Sequence, residues 1–141
     1  MSHDWVDDIY KMHEKYNVHE WMENNEDKFD EFLDFRLKFI KEELDETTTA
    51  WQNYDSEEVI DGLIDLCVVA IGTLDAFGVD AHKAWDAVLE ANMNKRPGAK
   101  LERPNPLGLP DLIKPSSWKA PSHLNNHNKF SVWEESMKKI P

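Results

Sequence analysis

Residues 56–77 read SEEVIDGLIDLCVVAIGTLDAF, and this stretch determines the fold class. Its apolar side chains cover nearly the whole circumference of a helix, which is typical of a helix inside a bundle or at a subunit interface. Asp55 precedes it with Ser56-Glu57-Glu58, which resembles a capping box, and Gly78 follows it as a suitable left-handed C-cap. We therefore predict a helix that begins after Asp55 and ends near Phe77.

Helical periodicity continues on both sides of this stretch, and no period-two pattern of β-branched residues appears. The sequence therefore predicts an all-α fold, a four-helix bundle. Besides the helix described above, the predicted helices run from Asp4 to Tyr16, from after Asn25 to about Ala50, and from Ala81 to about Asn94, with a short helical piece at His19–Met22.

The character of the chain changes at Pro97. Six of the seven prolines lie between Pro97 and Pro121, among leucine and basic side chains. Proline fixes φ and removes a hydrogen-bond donor, so an extended, ordered segment is favoured over a helix. We predict one all-α domain over residues 1–96, and an extended C-terminal arm over 97–141 that packs on this body or on a neighbouring subunit.

The charge of the chain restricts its partners. The 141 residues carry a net charge of −12, and residues 1–65 alone carry −14. Such an acidic body disfavours binding to nucleic acid or to an anionic membrane, and it allows metal cations or a basic protein partner. The longest apolar run, Leu66–Ile71, is too short to span a membrane. With no signal-peptide pattern and only one cysteine, Cys67, we expect a cytoplasmic protein.

Carboxylates occupy positions on the second long helix that its pattern would otherwise make apolar. At 100° per residue, Glu43 falls roughly 20° and Arg36 roughly 40° from Phe32, which lies in the apolar stripe. Glu42 and Glu46 fall at the edge of this stripe. A buried carboxylate is costly unless it is paired or binds a metal ion.

The following helix repeats this feature. Asp65 falls roughly 40° and Glu58 roughly 60° from Asp61, so three acids share one narrow stripe of an apolar helix. Three carboxylates one turn apart do not all stay ionised in a dry core without a cation. The two helices together offer six hard oxygen ligands, which suit Mg²⁺ or Mn²⁺. The alternative is a buried salt-bridge network with Arg36 and Lys38, although the basic residues are few for six acids.

Other metal and phosphate sites lack their patterns. No glutamate has a histidine three residues later, so a ferritin-like di-iron bundle is excluded. No glycine-rich phosphate loop is present, which excludes a P-loop nucleotidase. Five histidines show no ligand spacing, and we expect them to be surface or packing residues: His13, His19, His82, His123 and His127.

Three short motifs resemble a known family. Glu42-Glu43-Leu44-Asp45-Glu46 fits Glu-Glu-x-x-Glu, Glu58-Val59-Ile60-Asp61 fits Glu-x-x-Asp, and Asn92-Met93-Asn94-Lys95 fits Asn-x-x-Lys. Residues 35–95 resemble the MazG-like all-α nucleotide pyrophosphohydrolases throughout. Relatives of these enzymes include the phosphoribosyl-ATP pyrophosphohydrolases and the dimeric dUTPases. The arm, with Trp118-Lys119-Ala120-Pro121, is similar to that of small phage-encoded members.

This resemblance implies residue roles. In many members the motif aspartate, counted back from Gly78, falls at Asp65, and the motif glutamate falls at Gly62, so Asp61 is expected to take that place. The implied metal ligands are Glu43, Glu46, Asp61 and Asp65. The implied catalytic residues are Glu42, Glu43 and Glu58, of which Glu42 and Glu58 serve as ligand or general base. The implied phosphate-binding residues are Arg36, Asn92, Lys95 and Arg96.

The resemblance also implies the reaction. Members of the family hydrolyse a nucleoside triphosphate to the monophosphate and pyrophosphate with Mg²⁺, which Mn²⁺ can replace. We expect a purine deoxynucleotide such as dGTP as substrate and a homodimer or homotetramer as the assembly. Two alternatives stay open: a phosphoribosyl-ATP pyrophosphohydrolase, which uses the same site with a different base pocket, and an acidic helical interaction protein such as a DNA-mimic inhibitor.

Overall fold

A computed structural model of the chain describes residues 3–100 and 106–139. It is mostly helical, which confirms the predicted all-α class. The elements in chain order are α1 (Trp5–Lys15), α2 (Val18–Asn24), a 3-10 turn (Glu26–Lys28), α3 (Phe29–Gln52), α4 (Ser56–Ala76), α5 (Ala81–Met93), β1 (Arg96–Gly98), β2 (Asp111–Ile113) and α6 (Lys129–Lys138).

Local capping chemistry sets the helix ends as the sequence indicates. The Asp4 carboxylate accepts a hydrogen bond from Asp7 N at 3.1 Å and begins α1. The Asp55 carboxylate accepts one from Glu58 N at 3.2 Å and begins α4. Gly78 has φ +74°, so it adopts the left-handed conformation expected after α4. These local interactions explain why the predicted bounds of α1 and α4 agree closely with the structure.

The chain divides into two compact units, residues 3–81 with 126–139, and residues 82–125. The core of the first unit contains Met22, Phe29, Ala76 and Phe77, all almost fully buried. The Phe77 ring meets Phe29 edge-on at 5.4 Å between centroids, and Phe130 stacks on it at 4.0 Å. The C-terminal end of α4 is therefore the centre of the apolar core.

The C-terminal part of the predicted arm is not extended, because residues 129–138 form α6. This helix packs against α3 and the 3-10 turn. Residues before it bind the turn after α4: the side chain of Asn126 exchanges two hydrogen bonds with the backbone of Asp80, and Asn128 Nδ2 donates to Gly78 O at 2.8 Å. The proline content predicted an extended arm, but these side-chain contacts return the chain to the first unit.

The second unit contains most of α5 and a two-stranded antiparallel ladder in which Pro97 pairs with Leu112. Trp118 Nε1 donates to Ala91 O at 2.6 Å, which fixes the indole on α5. Residues 101–105 of the predicted arm lie outside the described residues. The two compact units therefore do not follow the boundary predicted after residue 96. The second unit begins at residue 82, and α6 belongs to the first unit. No single helix in the described ranges is long and apolar enough to span a membrane.

We predict that Phe130→Ala destabilises the first unit, because it removes the ring that stacks on Phe77. The ring is only half-buried, so the expected loss in unfolding free energy is about 2–3 kcal/mol, near the lower end for Phe→Ala. Urea denaturation followed by circular dichroism measures it. Val132→Ala, a truncation of an exposed side chain on the same helix, is the control and is expected to cost little. Equal stability of Phe130→Ala and the unaltered protein would show that α6 does not contribute to the core.

Candidate functional site

The close approach of α3 and α4 builds the candidate site. Gly62 of α4 is buried against Thr47 of α3, and a Cβ atom at Gly62 would overlap Thr47 Oγ1. Thr47 Oγ1 donates to Glu43 O at 2.7 Å, so its side chain lies along its own helix. Glycine therefore allows the two helices to approach at this level, next to the acidic residues of both.

Five carboxylates of these two helices form one electrostatic group around Glu43. Partial burial raises the pKa of Glu43, and neighbouring negative charges raise it further. In decreasing order, these charges belong to Glu46, Asp65, Asp61 and Glu42. The structure therefore brings together the four predicted metal ligands and one of the two further candidates, Glu42.

The carboxylates are more accessible than their helical positions suggest. Glu43 and Asp65 are half-buried, as their places in the stripes predict. The expectation of a dry core is wrong for Glu58 and Asp61, which are exposed, and Glu42 and Glu46, predicted at the edge of the stripe, are exposed as well. The physical reason is that the described residues leave the N-terminal half of α4 largely uncovered: even on the side away from the acids, Ile60 is 63% and Leu63 52% exposed.

The predicted salt-bridge alternative does not form. Lys38 pairs with Asp34 at 2.8 Å, and Arg36 donates to Thr73 Oγ1 and to Val69 O, both at 3.0 Å. Lys41, the other base of this helix, pairs with Asp45. In the part of the chain that the structure describes, no lysine or arginine forms an ion pair with any of the six candidate acids. The negative charge of the group is thus not neutralised by any base among the described residues.

One family of known proteins matches the part of the chain that contains both acidic helices. The sequence profile of the phosphoribosyl-ATP pyrophosphohydrolase family matches residues 13–92, more than half of the chain. The chain belongs to this family. The family is part of the MazG-like all-α superfamily, so the resemblance stated above is confirmed at that level. No curated protein and no solved structure gives a significant match.

Membership places the chain among pyrophosphohydrolase enzymes in general. Enzymes of the MazG-like group generally use divalent metal ions, and the residues present fit such an ion. Every donor in the group around Glu43 is a carboxylate oxygen, the ligand that Mg²⁺ and Mn²⁺ prefer. Because no described base neutralises the group, a bound dication would relieve the repulsion that raises the pKa of Glu43.

The predicted phosphate-binding residues are distributed over both units of this pyrophosphohydrolase. Arg36 is half-buried in the first unit, and two of its donors are bound to Thr73 and Val69. The other three belong to the second unit. Asn92 and Arg96 are exposed there, and the Lys95 ammonium lies 5.4 Å from the centroid of the Trp118 ring. The role of all four in binding phosphate stays a prediction.

An apolar groove of about 190 Å³ lies between α1 and α4 in the first unit. It is lined by Trp5, Asp8, Ile9, Ile64, Cys67, Val68 and Ile71. Ile64 directly precedes the carboxylate residue Asp65 in the chain. The groove combines apolar walls with one charged group, Asp8.

Sequence reasoning missed one cluster of polar side chains. His13 and His19, expected to be separate surface or packing residues, both contact Asp75. No sequence signal indicates this, because the three residues come from three helices, with 62 positions between the first and the last. All three residues of the cluster lie in the first unit.

We predict that Gly62→Ala destabilises the protein even though alanine is the better helix former. The added Cβ meets Thr47 Oγ1 and Cβ. Overpacking of this kind costs about 1–3 kcal/mol, against about 1 kcal/mol gained in helix propensity. Urea denaturation measures the net loss. In a Thr47→Ala background the same substitution should cost less, and an equal cost in both backgrounds would contradict the close approach of the two helices.

We predict that millimolar Mg²⁺ raises the melting temperature of the protein, by about 5 °C when the ion is well above its dissociation constant. Glu43→Gln removes a negative charge from the repelling group. This variant should therefore melt higher than the unaltered protein without metal and gain less from Mg²⁺. Differential scanning fluorimetry measures both shifts.

The matched control for Mg²⁺ binding is Glu31→Gln, the same substitution in the first turn of α3. Its response to Mg²⁺ should equal that of the unaltered protein. Melting curves that neither Mg²⁺ nor Mn²⁺ changes would show that the carboxylate group does not bind a cation.

Proposed function

We propose that the protein is a metal-dependent nucleoside triphosphate pyrophosphohydrolase that produces a nucleoside monophosphate and pyrophosphate. The observation that carries this proposal is the group of carboxylates around Glu43, which α3 and α4 hold together with no neutralising base in residues 3–100 and 106–139. A triphosphate and its metal ions are the ligands that such a group accommodates. The family match supports the same class of reaction.

The proposed roles follow the geometry of the two helices. Glu43, Glu46, Asp61 and Asp65 hold Mg²⁺, or Mn²⁺ in its place. When bound, the ions neutralise the phosphates and lower the pKa of a coordinated water. A remaining carboxylate accepts the proton of the attacking water, and Glu42 and Glu58 are the candidates for this general base. Attack of this water on phosphorus breaks the bond between the α- and β-phosphates. The group that leaves with the electron pair is pyrophosphate if the α-phosphorus is attacked and the nucleoside monophosphate if the β-phosphorus is attacked.

The remaining substrate contacts are assigned by chemistry. The apolar groove that contains Trp5 and Ile64 receives the base, since stacking on an aromatic ring and apolar contact both suit a purine. Asn92, Lys95 and Arg96 bind the phosphates. Arg36 stays a weaker candidate, because two of its donors already bind Thr73 and Val69. We propose a purine deoxynucleotide, with dGTP as the first to test.

We further propose that the protein assembles as a homodimer or homotetramer. Large apolar side chains of α3 and α4 are exposed in the chain, and their burial against a second copy would be favourable. The residues that would be covered include Phe35, Leu37, Leu44, Ile60 and Leu63. The proposal includes a cytoplasmic location, no binding to nucleic acid or membrane, and membership of the small phage-type group, which the sequence of the arm supports.

We predict that the protein with Mg²⁺ releases pyrophosphate from at least one nucleotide of a panel of deoxy- and ribonucleoside triphosphates. Glu43→Gln and Asp65→Asn should each lower kcat at least 100-fold, because each removes a ligand charge and keeps the shape of the side chain. Glu31→Gln is the control and should keep full activity. Product analysis by ion-exchange chromatography separates pyrophosphate from single phosphate release.

The same panel distinguishes the alternatives. Phosphoribosyl-ATP is the second candidate substrate, because the matched family is that of the phosphoribosyl-ATP pyrophosphohydrolases. It is included in the panel at the same concentration as the other nucleotides. Hydrolysis of phosphoribosyl-ATP alone would replace the triphosphate proposal with this second function. No pyrophosphate from any of these compounds, with Mg²⁺ or Mn²⁺, would overturn both enzymatic functions and favour the acidic interaction protein.

A further inference from the structure

Three side chains from three helices meet in the first unit, away from the carboxylate group. His13 of α1 places Nδ1 at 2.7 Å from Asp75 Oδ2 of α4, and His19 of α2 places Nε2 at 2.6 Å from the same oxygen. One nitrogen or oxygen atom of each residue lies within 4.8 Å of the others. His13 is only 4% exposed, and the side chain of Asp75 is 10% exposed. The cluster is thus a largely enclosed set of two imidazoles and one carboxylate.

The other ring nitrogen of His19, Nδ1, also contacts a carboxylate. Nδ1 lies 2.5 Å from Glu14 Oε1, so the ring is held between two carboxylates, with Nε2 directed at Asp75. Histidines that bind metals almost always donate their other ring N–H to a carboxylate or carbonyl, which fixes the tautomer and makes the ligand nitrogen more basic. His19 and Glu14 have this arrangement.

The surroundings of His13 disfavour its protonated form. Burial lowers the pKa of His13, and the positive charges of Arg36 and His19 lower it further, against the opposing effect of Asp75. Gly72 makes room for this packing, since a Cβ there would overlap Arg36 Nη2 and press on the His13 ring. A neutral imidazole has the lone pair that metal binding requires.

The surroundings of His19 favour a positive charge instead. Burial opposes this charge, but the hydrogen bonds and charges of Asp75 and Glu14 outweigh it and raise the pKa of His19. A bound dication would place a positive charge beside Asp75 and Glu14 in the same way.

We propose that His13, His19 and Asp75 form a second metal site, which takes a transition-metal dication such as Zn²⁺ with Glu14 supporting His19. Two imidazole nitrogens and one carboxylate oxygen are a ligand set that suits Zn²⁺ and does not suit Mg²⁺. Water completes the coordination, because His19 keeps 22% of its side chain exposed. The site is separate from the carboxylate group, since Asp75 lies ten residues beyond Asp65 on α4, about 15 Å along the helix.

The expected consequence of this site is a connection between helices. An ion bound there joins α1 and α2 to the C-terminal end of α4, which also carries the apolar core around Phe77. In the metal-free chain, hydrogen bonds of His13 and His19 to Asp75 make this connection. Because Zn²⁺ would bind the folded cluster and not the unfolded chain, it stabilises the folded first unit by mass action. The site thereby acts on the stability of the unit without contributing a ligand to the carboxylate group.

Zinc binding by the whole, untagged protein tests the proposal. The protein is stripped with a chelator, and excess Mg²⁺ is added to occupy the carboxylate group before Zn²⁺ is titrated by calorimetry. We expect one Zn²⁺ per chain. His13→Gln and His19→Gln should weaken binding at least 100-fold, and Glu14→Gln about 10-fold, because it removes the support of a ligand rather than a ligand. His127→Gln, an exposed histidine outside the cluster, should bind Zn²⁺ normally.

A second measurement uses the unaltered protein, so that a variant that fails to fold does not decide the outcome. Co²⁺ bound by the cluster should show the intense visible absorption of four-coordinate Co²⁺, and the weak spectrum of six-coordinate Co²⁺ would overturn the proposal. No uptake of Zn²⁺ in the presence of Mg²⁺ would also overturn it, as would unchanged affinity in a folded His19→Gln variant. Glu43→Gln separates the two sites, because it should keep Zn²⁺ binding while responding less to Mg²⁺.

Discussion

The contact between Gly62 and Thr47 is the constraint on which the rest of the structure depends. It sets the distance between α3 and α4, and therefore the distance between the acids that these helices carry. A larger residue at position 62 would separate the helices at the level where Glu43 faces Asp61 and Asp65. Close packing at this point holds like charges near one another, an arrangement that electrostatics alone opposes. The raised pKa of Glu43 reflects that conflict.

The stability of the fold comes from a region away from the repelling carboxylates. The aromatic core around Phe77 fixes the C-terminal end of α4, while the acids occupy its N-terminal half. Arg36 of α3 also binds the C-terminal half of the helix, since its guanidinium donates to the Val69 carbonyl and the Thr73 hydroxyl. This half of the helix is thus held by apolar contacts and by hydrogen bonds from Arg36 to uncharged acceptors. Burial of a carboxylate is costly, and among the six candidate acids only Glu43 and Asp65 are half-buried.

Two kinds of ligand chemistry are arranged along the same helix. Near its start, oxygen donors from α3 and α4 suit a hard ion and a phosphate substrate, in agreement with the pyrophosphohydrolase family to which the chain belongs. Near its end, Asp75 meets two imidazoles from α1 and α2, a set that suits a softer ion. The separation of about 15 Å along α4 allows each site to be loaded independently.

Local patterns in the sequence were enough for α1 to α5, for the caps at Asp55 and Gly78, and for the half-buried positions of Glu43 and Asp65 on two neighbouring helices. Periodicity and capping act within a few residues, so they can be read from the chain directly. Tertiary contacts decided the rest. The return of α6 depends on Asn126, Asn128 and Phe130, which bind residues some 50 positions away. The meeting of His13 and His19 with Asp75 depends on how three helices pack, and no spacing within the chain encodes such a long-range contact.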